Sequence, residues 1–207
     1  MDKLCMPRKK RVFQNHYPYH VTRRTNNRDW FNLPLFEVWD LIKDSFKYAQ
    51  DNAPVVIHAF VLMDNHYHLL ISTPKCNLHH FMMYFNRRIS REINRRSKRE
   101  NHCFANEYKA TIVDDQRYLR TVYRYIYQNP IRAKITDDIF SYPYSSLHFS
   151  SYEAKLFNFK PHFHFAKEKA NIEKRFSSDI ERIIRLGLRR NRFQISEKNR
   201  SIASRYL

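Results

Sequence analysis

The chain has 207 residues, 38 of them Lys or Arg and 20 Asp or Glu, for a formal net charge of +18 with 43% hydrophobic residues. So much apolar content excludes a disordered basic tail, and the length allows one domain, or two, with a core that needs no disulfide or metal staple. The lone glycine, Gly187, excludes the phosphate-cradling loops of Walker and dinucleotide type, which need several glycines where backbone approaches phosphate.

In chain order, the N-terminal segment has no apolar run of a secretory leader. Residues 1–16, with Pro7–Arg11 (PRKKR), are expected to form a basic arm against a nucleic-acid backbone. PRKKR also fits a nuclear address, but nothing else in the chain supports a eukaryotic setting. Tyr17–Arg24 is a predicted strand. Leu35–Asp51 is a predicted helix, with Phe36, Val38, Trp39, Ile42, Phe46 and Ala49 at helical spacing and Pro54 beyond its end. Val55–Met63 and His66–Ser72 form a predicted hairpin around Asp64-Asn65, two residues that tolerate left-handed backbone. Leu78–Arg96 is a predicted helix with an apolar stripe (Met82, Phe85, Ile89, Ile93) and a cationic one. Tyr108–Val113 is a predicted strand, and Gln116–Asn129 a helix ended by Pro130. Ser141–Phe165 looks irregular, and Asn171–Arg190 is a predicted basic amphipathic helix. Residues 1–150 read as an α+β domain and 151–207 as a basic, partly helical extension.

The basic residues come in blocks with few acids between them, which favours a polyanionic partner. With 15% aromatic residues, stacking platforms for unpaired bases are available, although most aromatics in any fold are core. Nucleic acid is therefore the expected partner. Candidate phosphate contacts are Arg23 and Arg24 on the first strand and Arg87, Arg88, Arg91 and Arg95 on the second helix. Cys5, Cys76 and Cys103 form no C-x-x-C pair and no even set, which fits a reducing interior. No apolar run is long enough for a membrane span, so a cytoplasmic, nucleoid-associated protein with no membrane partner is expected.

Two groups of residues could carry chemistry. His66 and His68 on a strand point to one face, at a spacing that suits a divalent ion, although an isolated H-x-H is equally a chance pair. Leu69 and Leu70 follow, so the pattern of binuclear metallohydrolases is absent. Tyr125 and Asn129 stand at i and i+4 on one helix face, an arrangement equally compatible with an ordinary packed tyrosine and a helix-ending amide. Tyr123 and Tyr127 lie about 200° around the helix from Tyr125 and cannot share its face.

YHVTRR, VLMDNHYHLLISTP, RYIYQNPIRA and SYPYSSL, in that order, resemble the single-tyrosine HUH transposases, and within them the subgroup associated with repetitive extragenic palindromes. The resemblance spans roughly Tyr17 to Leu147. It implies a ferredoxin-like or RRM-like HUH nuclease fold, an antiparallel sheet flanked by helices, here with a basic helical C-terminal extension. It implies Mg²⁺ or Mn²⁺ on His66 and His68, completed by Asn129, and Tyr125 as the catalytic nucleophile. The implied activity is a metal-dependent single-stranded DNA endonuclease and strand transferase. It would recognise DNA hairpins and form a 5′-phosphotyrosine intermediate; a homodimer is left open. The sequence departs from the family at Asn106-Glu107-Tyr108-Lys109, where a Gly-Arg-Tyr-Lys-like segment is common, and that bears on local DNA contacts. Two alternatives stand beside this reading: a non-catalytic binder of structured single-stranded nucleic acid that keeps the fold, and a rolling-circle replication initiator, which matches RYIYQNPIRA less well.

Overall fold

The computed structural model describes residues 12–99, 102–163 and 165–203; the run Pro7–Arg11 lies outside them. Four strands, β1 (Tyr19–Arg24), β2 (Val56–Met63), β3 (His66–Ser72) and β4 (Lys109–Ile112), form one sheet in the order β2-β3-β1-β4. Every pairing in it is antiparallel. The β2–β3 hairpin turns at Asp64-Asn65 as expected, but for a different reason. Neither residue has a positive φ. The turn is tied down from outside: the Asn65 carbonyl accepts from Thr25 N (2.9 Å) and Thr25 Oγ1 (3.1 Å), and Asn65 Nδ2 donates to the Arg28 carbonyl (2.8 Å).

Register decides which side chains share a face. His20 pairs with Leu70, Thr22 with His68 and Arg24 with His66, while Thr22 and His20 face Lys109 and Thr111 on β4. Directly opposed residues point the same way and successive residues along a strand point oppositely. One face therefore gathers His20, Thr22, Arg24, His66, His68 and Lys109. The other gathers Tyr19, Val21, Tyr67, Leu69 and Ile71, all buried in the larger core.

Helices α1 (Leu35–Asn52) and α2 (Leu78–Ser97) cover that second face. The predicted α2 stripe of Met82, Phe85, Ile89 and Ile93 is wholly buried. On α1 the buried set is Val38, Leu41, Ile42, Phe46 and Ala49, whereas Phe36 is 59% exposed. Phe46 stacks on Phe85 with ring centroids 4.5 Å apart and meets Phe60 edge-on at 4.9 Å.

The helix α3 (Gln116–Tyr127) lies on the first face, its N-terminus capped by the Asp115 carboxylate, which accepts from the Arg117 and Tyr118 amides. The helix ends at Tyr127, ahead of Pro130 as expected, but Pro130 does not keep the chain from turning helical again. The chain pauses at Gln128 and re-enters a helical turn, α4 (Asn129–Arg132), with Pro130 in its first turn. Proline is tolerated there, since its missing N–H would have no intrahelical acceptor. Arg132 N still donates to the Gln128 carbonyl and Ala133 N to the Asn129 carbonyl, so Arg132 stays aligned with α3.

Two further expectations are corrected. Residues 141–165, read as irregular, contain α5 (Ser151–Leu156), which opens with a reciprocal Ser150–Glu153 capping box. The single helix expected over 171–190 is two, α6 (Phe165–Glu173) and α7 (Ser178–Gly187), with a last helix α8 (Glu197–Ala203) beyond. Ser177 starts α7 as its N-cap, accepting from the Ile180 amide, a signal present in the sequence but overridden there by the basic periodicity. None of the described helices is long and apolar enough to cross a membrane.

The C-terminal residues share a core with α3. Ile172, Ile180, Ile183, Ile184 and Phe193 are buried in one cluster with Val122, Tyr125 and Ile126. After α7 the chain runs beside β4, with Ile112 N donating to Asn191 O and Phe193 N to Ile112 O, both at 2.8 Å. Gly187 makes this closure feasible. A Cβ built there would lie 2.8 Å from Phe193 Cε2 and 3.1 Å from the Gln194 carbonyl, and Phe193, at 1% exposure, has nowhere to swing. Gly187→Ala is expected to cost about 1–3 kcal/mol by overpacking. That lowers the thermal midpoint by at least a few degrees, readable by circular dichroism; an unchanged midpoint would show that the contact relaxes freely.

Candidate active site

A groove of about 630 Å³ opens on the first face of the sheet, lined by His20, Thr22, Arg24, His66, His68, Tyr125 and Arg132 among others. Strand alternation supplies its floor. His66 and His68 are 8% and 5% exposed, with ring centroids 5.0 Å apart. Tyr67, between them, points the other way and donates to Asn86 Oδ1 at 2.8 Å.

Each imidazole is held through one ring nitrogen. His66 Nδ1 lies 2.8 Å from Asn65 Oδ1, and His68 Nδ1 lies 2.9 Å from His20 Nε2. His20 sits diagonally across β1 from His68, which is why the two rings also stack at 5.2 Å. The remaining nitrogens, His66 Nε2 and His68 Nε2, are buried and have no hydrogen-bond partner. Two buried imidazole nitrogens left over in this way fit a divalent cation, which takes neutral imidazole. Burial also favours the neutral form. It pushes His20 and His66 down to about 3, with Arg24 and Arg132 adding to the effect on His66. His68 is driven well below the ordinary histidine value by burial first, then by its histidine neighbours.

Among the described residues no three His, Cys, Asp or Glu side chains gather into a metal cluster. A cation on this pair would therefore rely on amide or substrate oxygens for its other positions. His20 orients His68 through the contact between His20 Nε2 and His68 Nδ1. Removing an outer partner of a ligating imidazole typically weakens metal affinity about 10–100-fold. His20→Ala is expected to weaken Mn²⁺ binding by that factor in calorimetry, and unchanged affinity would show that His68 needs no such support.

Tyr125 comes down from α3 onto this pair, its ring 5.8 Å from that of His68 and 6.4 Å from that of His20. Tyr123 and Tyr127 turn into the core. They pack edge to face at 5.1 Å, and the Tyr127 hydroxyl meets Ser146 Oγ at 2.8 Å. Burial raises both phenols above the ordinary tyrosine value.

Asn129 is fully buried one turn after Tyr125. Its Nδ2 donates to the carbonyls of Tyr125 (2.8 Å) and Ile126 (3.2 Å), and its Oδ1 accepts from Arg132 Nη2. Arg132 was not singled out in the sequence. Its Nη1 donates to the Tyr125 hydroxyl at 2.9 Å, so one guanidinium bridges tyrosine and amide. The signal was there as spacing, two helical turns after Tyr125, but the expected stop at Pro130 hid it.

The predicted phosphate contacts divide by face. Arg24 and Arg23 alternate about β1. Arg24 lines the groove, where burial first and then Arg28 and Arg132 hold it below the usual arginine range. Arg23 lies over the Phe104 ring at 4.6 Å and lines both the groove and a second cavity that reaches Arg87. Arg87, Arg88, Arg91 and Arg95 stand on α2, across the sheet from the histidines. Arg88 lies 5.0 Å over Tyr48, and Glu92 pairs with both Arg91 (3.4 Å) and Arg95 (2.9 Å). The groove gathers seven cationic side chains against one carboxylate, Glu107.

A family model described as "Transposase IS200 like" matches residues 13–129. No curated protein matches the chain. Among solved structures, the chain is similar to that of a REP-associated tyrosine transposase bound to a REP hairpin. The TM-score is 0.59 at 16% identity, over 69% of this chain and 84% of that one.

Proposed function

The chain belongs to the IS200-like transposase family, and on that premise we propose that it is a nicking and joining enzyme for single-stranded DNA, acting through Tyr125 at hairpin-bearing substrates. Tyr125 Oη attacks a backbone phosphorus; the P–Oη bond forms as the P–O3′ bond breaks. The phenol loses its proton and the departing 3′ oxygen gains one, leaving a 5′-phosphotyrosine and a free 3′-hydroxyl. The covalent link keeps the energy of the phosphodiester, so a later 3′-hydroxyl can rejoin the strand without a nucleotide cofactor. That agrees with a chain lacking glycine-rich nucleotide loops.

His66 and His68 would hold Mg²⁺ or Mn²⁺ through their unpartnered Nε2 atoms, with Asn129 as the candidate third ligand from the resemblance. When bound, such a cation polarises the scissile phosphate and neutralises charge on its oxygens. Arg132 fixes the phenolic oxygen beside the imidazoles, and Arg24 offers a cation to the phosphate. For Asn129 to ligate, its Oδ1 would have to share itself with Arg132 or leave it.

One observation carries the reading: the two unpartnered imidazole nitrogens and the one groove-lining tyrosine of α3 meet in a cationic groove. The test is incubation with flanked DNA hairpins and Mn²⁺, followed by denaturing electrophoresis. A denaturation-resistant adduct that disappears with a chelator is expected. Hairpin binding with no adduct in any metal would overturn catalysis and leave the binding-only alternative.

A further inference from the structure

We infer that α7 and the turn after it, beyond the family match, form one wall of the DNA site, with Arg185 on the helix and Arg189 in the turn gripping phosphates of the single strand that enters the groove. The inference rests on the groove being a single-strand DNA site, the reading proposed above. Both arginines line the groove that holds His66, His68 and Tyr125. Both are exposed, while the apolar side of the same segment (Ile180, Ile183, Ile184, Leu188) is buried against α3.

The wall is held at both ends. Ser177 caps the start of α7. At its far end Thr111 Oγ1 donates to the Leu188 carbonyl at 2.9 Å, and Gly187 lets Phe193 close beneath. The backbone that carries the two arginines is therefore anchored along the groove rim.

Their charge is also available. Neighbouring arginines of the extension are engaged: Arg175 with Asp137 (3.2 Å), Arg182 with Asp179 (3.5 Å) and Arg192 with Asp114. Among the described residues no acid lies within ion-pair distance of Arg185 or Arg189. Glu181, one turn before Arg185, is the acid nearest in sequence and feels both Arg132 and Arg185. Exposed arginines on the rim of the groove that holds Tyr125 suit a phosphate backbone, because guanidinium matches phosphate in a bidentate fork.

Each phosphate contact to a single strand contributes about 0.7 to the slope of log K against log salt. The experiment is fluorescence-anisotropy titration of labelled oligothymidylate from about 50 to 200 mM salt, with thermal unfolding as the check on fold. Arg185→Gln/Arg189→Gln is expected to flatten the slope by about 1.4 and weaken binding about 25-fold at 0.1 M salt. Arg185→Lys/Arg189→Lys should keep most of the slope. Arg182→Gln, on the same helix but paired to Asp179, should leave it unchanged. Wild-type slope in the double glutamine variant, or an equal change in Arg182→Gln, would overturn the inference while leaving the DNA reading intact. Absence of salt-dependent binding by the wild type would overturn that reading as well.

Discussion

Tyr125→Phe is expected to lower covalent adduct formation by more than about 10⁴-fold, a loss of the size seen when a nucleophile is deleted outright. DNA affinity should stay within a few-fold. The substitution removes a single oxygen from a side chain that is only 4% exposed. It forfeits the bond from Arg132 Nη1, worth about 1.5–3 kcal/mol for a charged donor, and leaves the ring in place. No neighbour can take over. Tyr123 and Tyr127 point into the core, where burial disfavours their ionised forms. Quantifying the adduct by denaturing electrophoresis, with affinity measured in parallel, separates chemistry from binding. Residual adduct at more than a few per cent of wild type would assign the nucleophile elsewhere.

Arg132→Gln is expected to cost about 10²–10³-fold in the rate of adduct formation, the effect of removing one preorganised donor from a developing oxyanion. The guanidinium reaches the Tyr125 oxygen at 2.9 Å. On the proposed mechanism it would stabilise the phenolate as attacker when the strand is cut and as leaving group when it is rejoined. Asn129 Oδ1 accepts from the other arm of the same guanidinium and sets its angle. A positioning role through fold alone makes a different forecast: slower chemistry and weaker binding together, with no recovery. Single-turnover kinetics should instead show the rate falling with affinity within a few-fold, and Arg132→Ala should regain part of its rate with added methylguanidine. Equal losses in rate and affinity without rescue would count against this role.

Much of the architecture was legible in the residues. The alternation of His66, Tyr67 and His68 set the imidazoles on one side and Tyr67 in the core, because a strand has a side-chain period of two. The apolar stripe of α2 and the rotation separating Tyr125 from Tyr123 and Tyr127 were equally local facts of helix geometry. Proline misled at residue 130: a helix that has just ended can restart with proline in its first turn, and only the surrounding packing chooses between stopping and restarting. The single basic helix expected over 171–190 failed for a similar reason. Charge periodicity ran across the Ser177 cap, and burial against α3 decided the break.

By itself, then, the order of residues determined the four strands, the helices α1 to α3, the paired imidazoles and the face of Tyr125, since each depends on neighbours a few positions away. Tertiary structure alone decided that His20 supports His68 and that Arg185 and Arg189 rim the same groove. It also set the α2 arginines across the sheet from the histidines. Such contacts join segments tens of residues apart, and their geometry comes from strand register and from a close approach at Gly187, which no local pattern encodes.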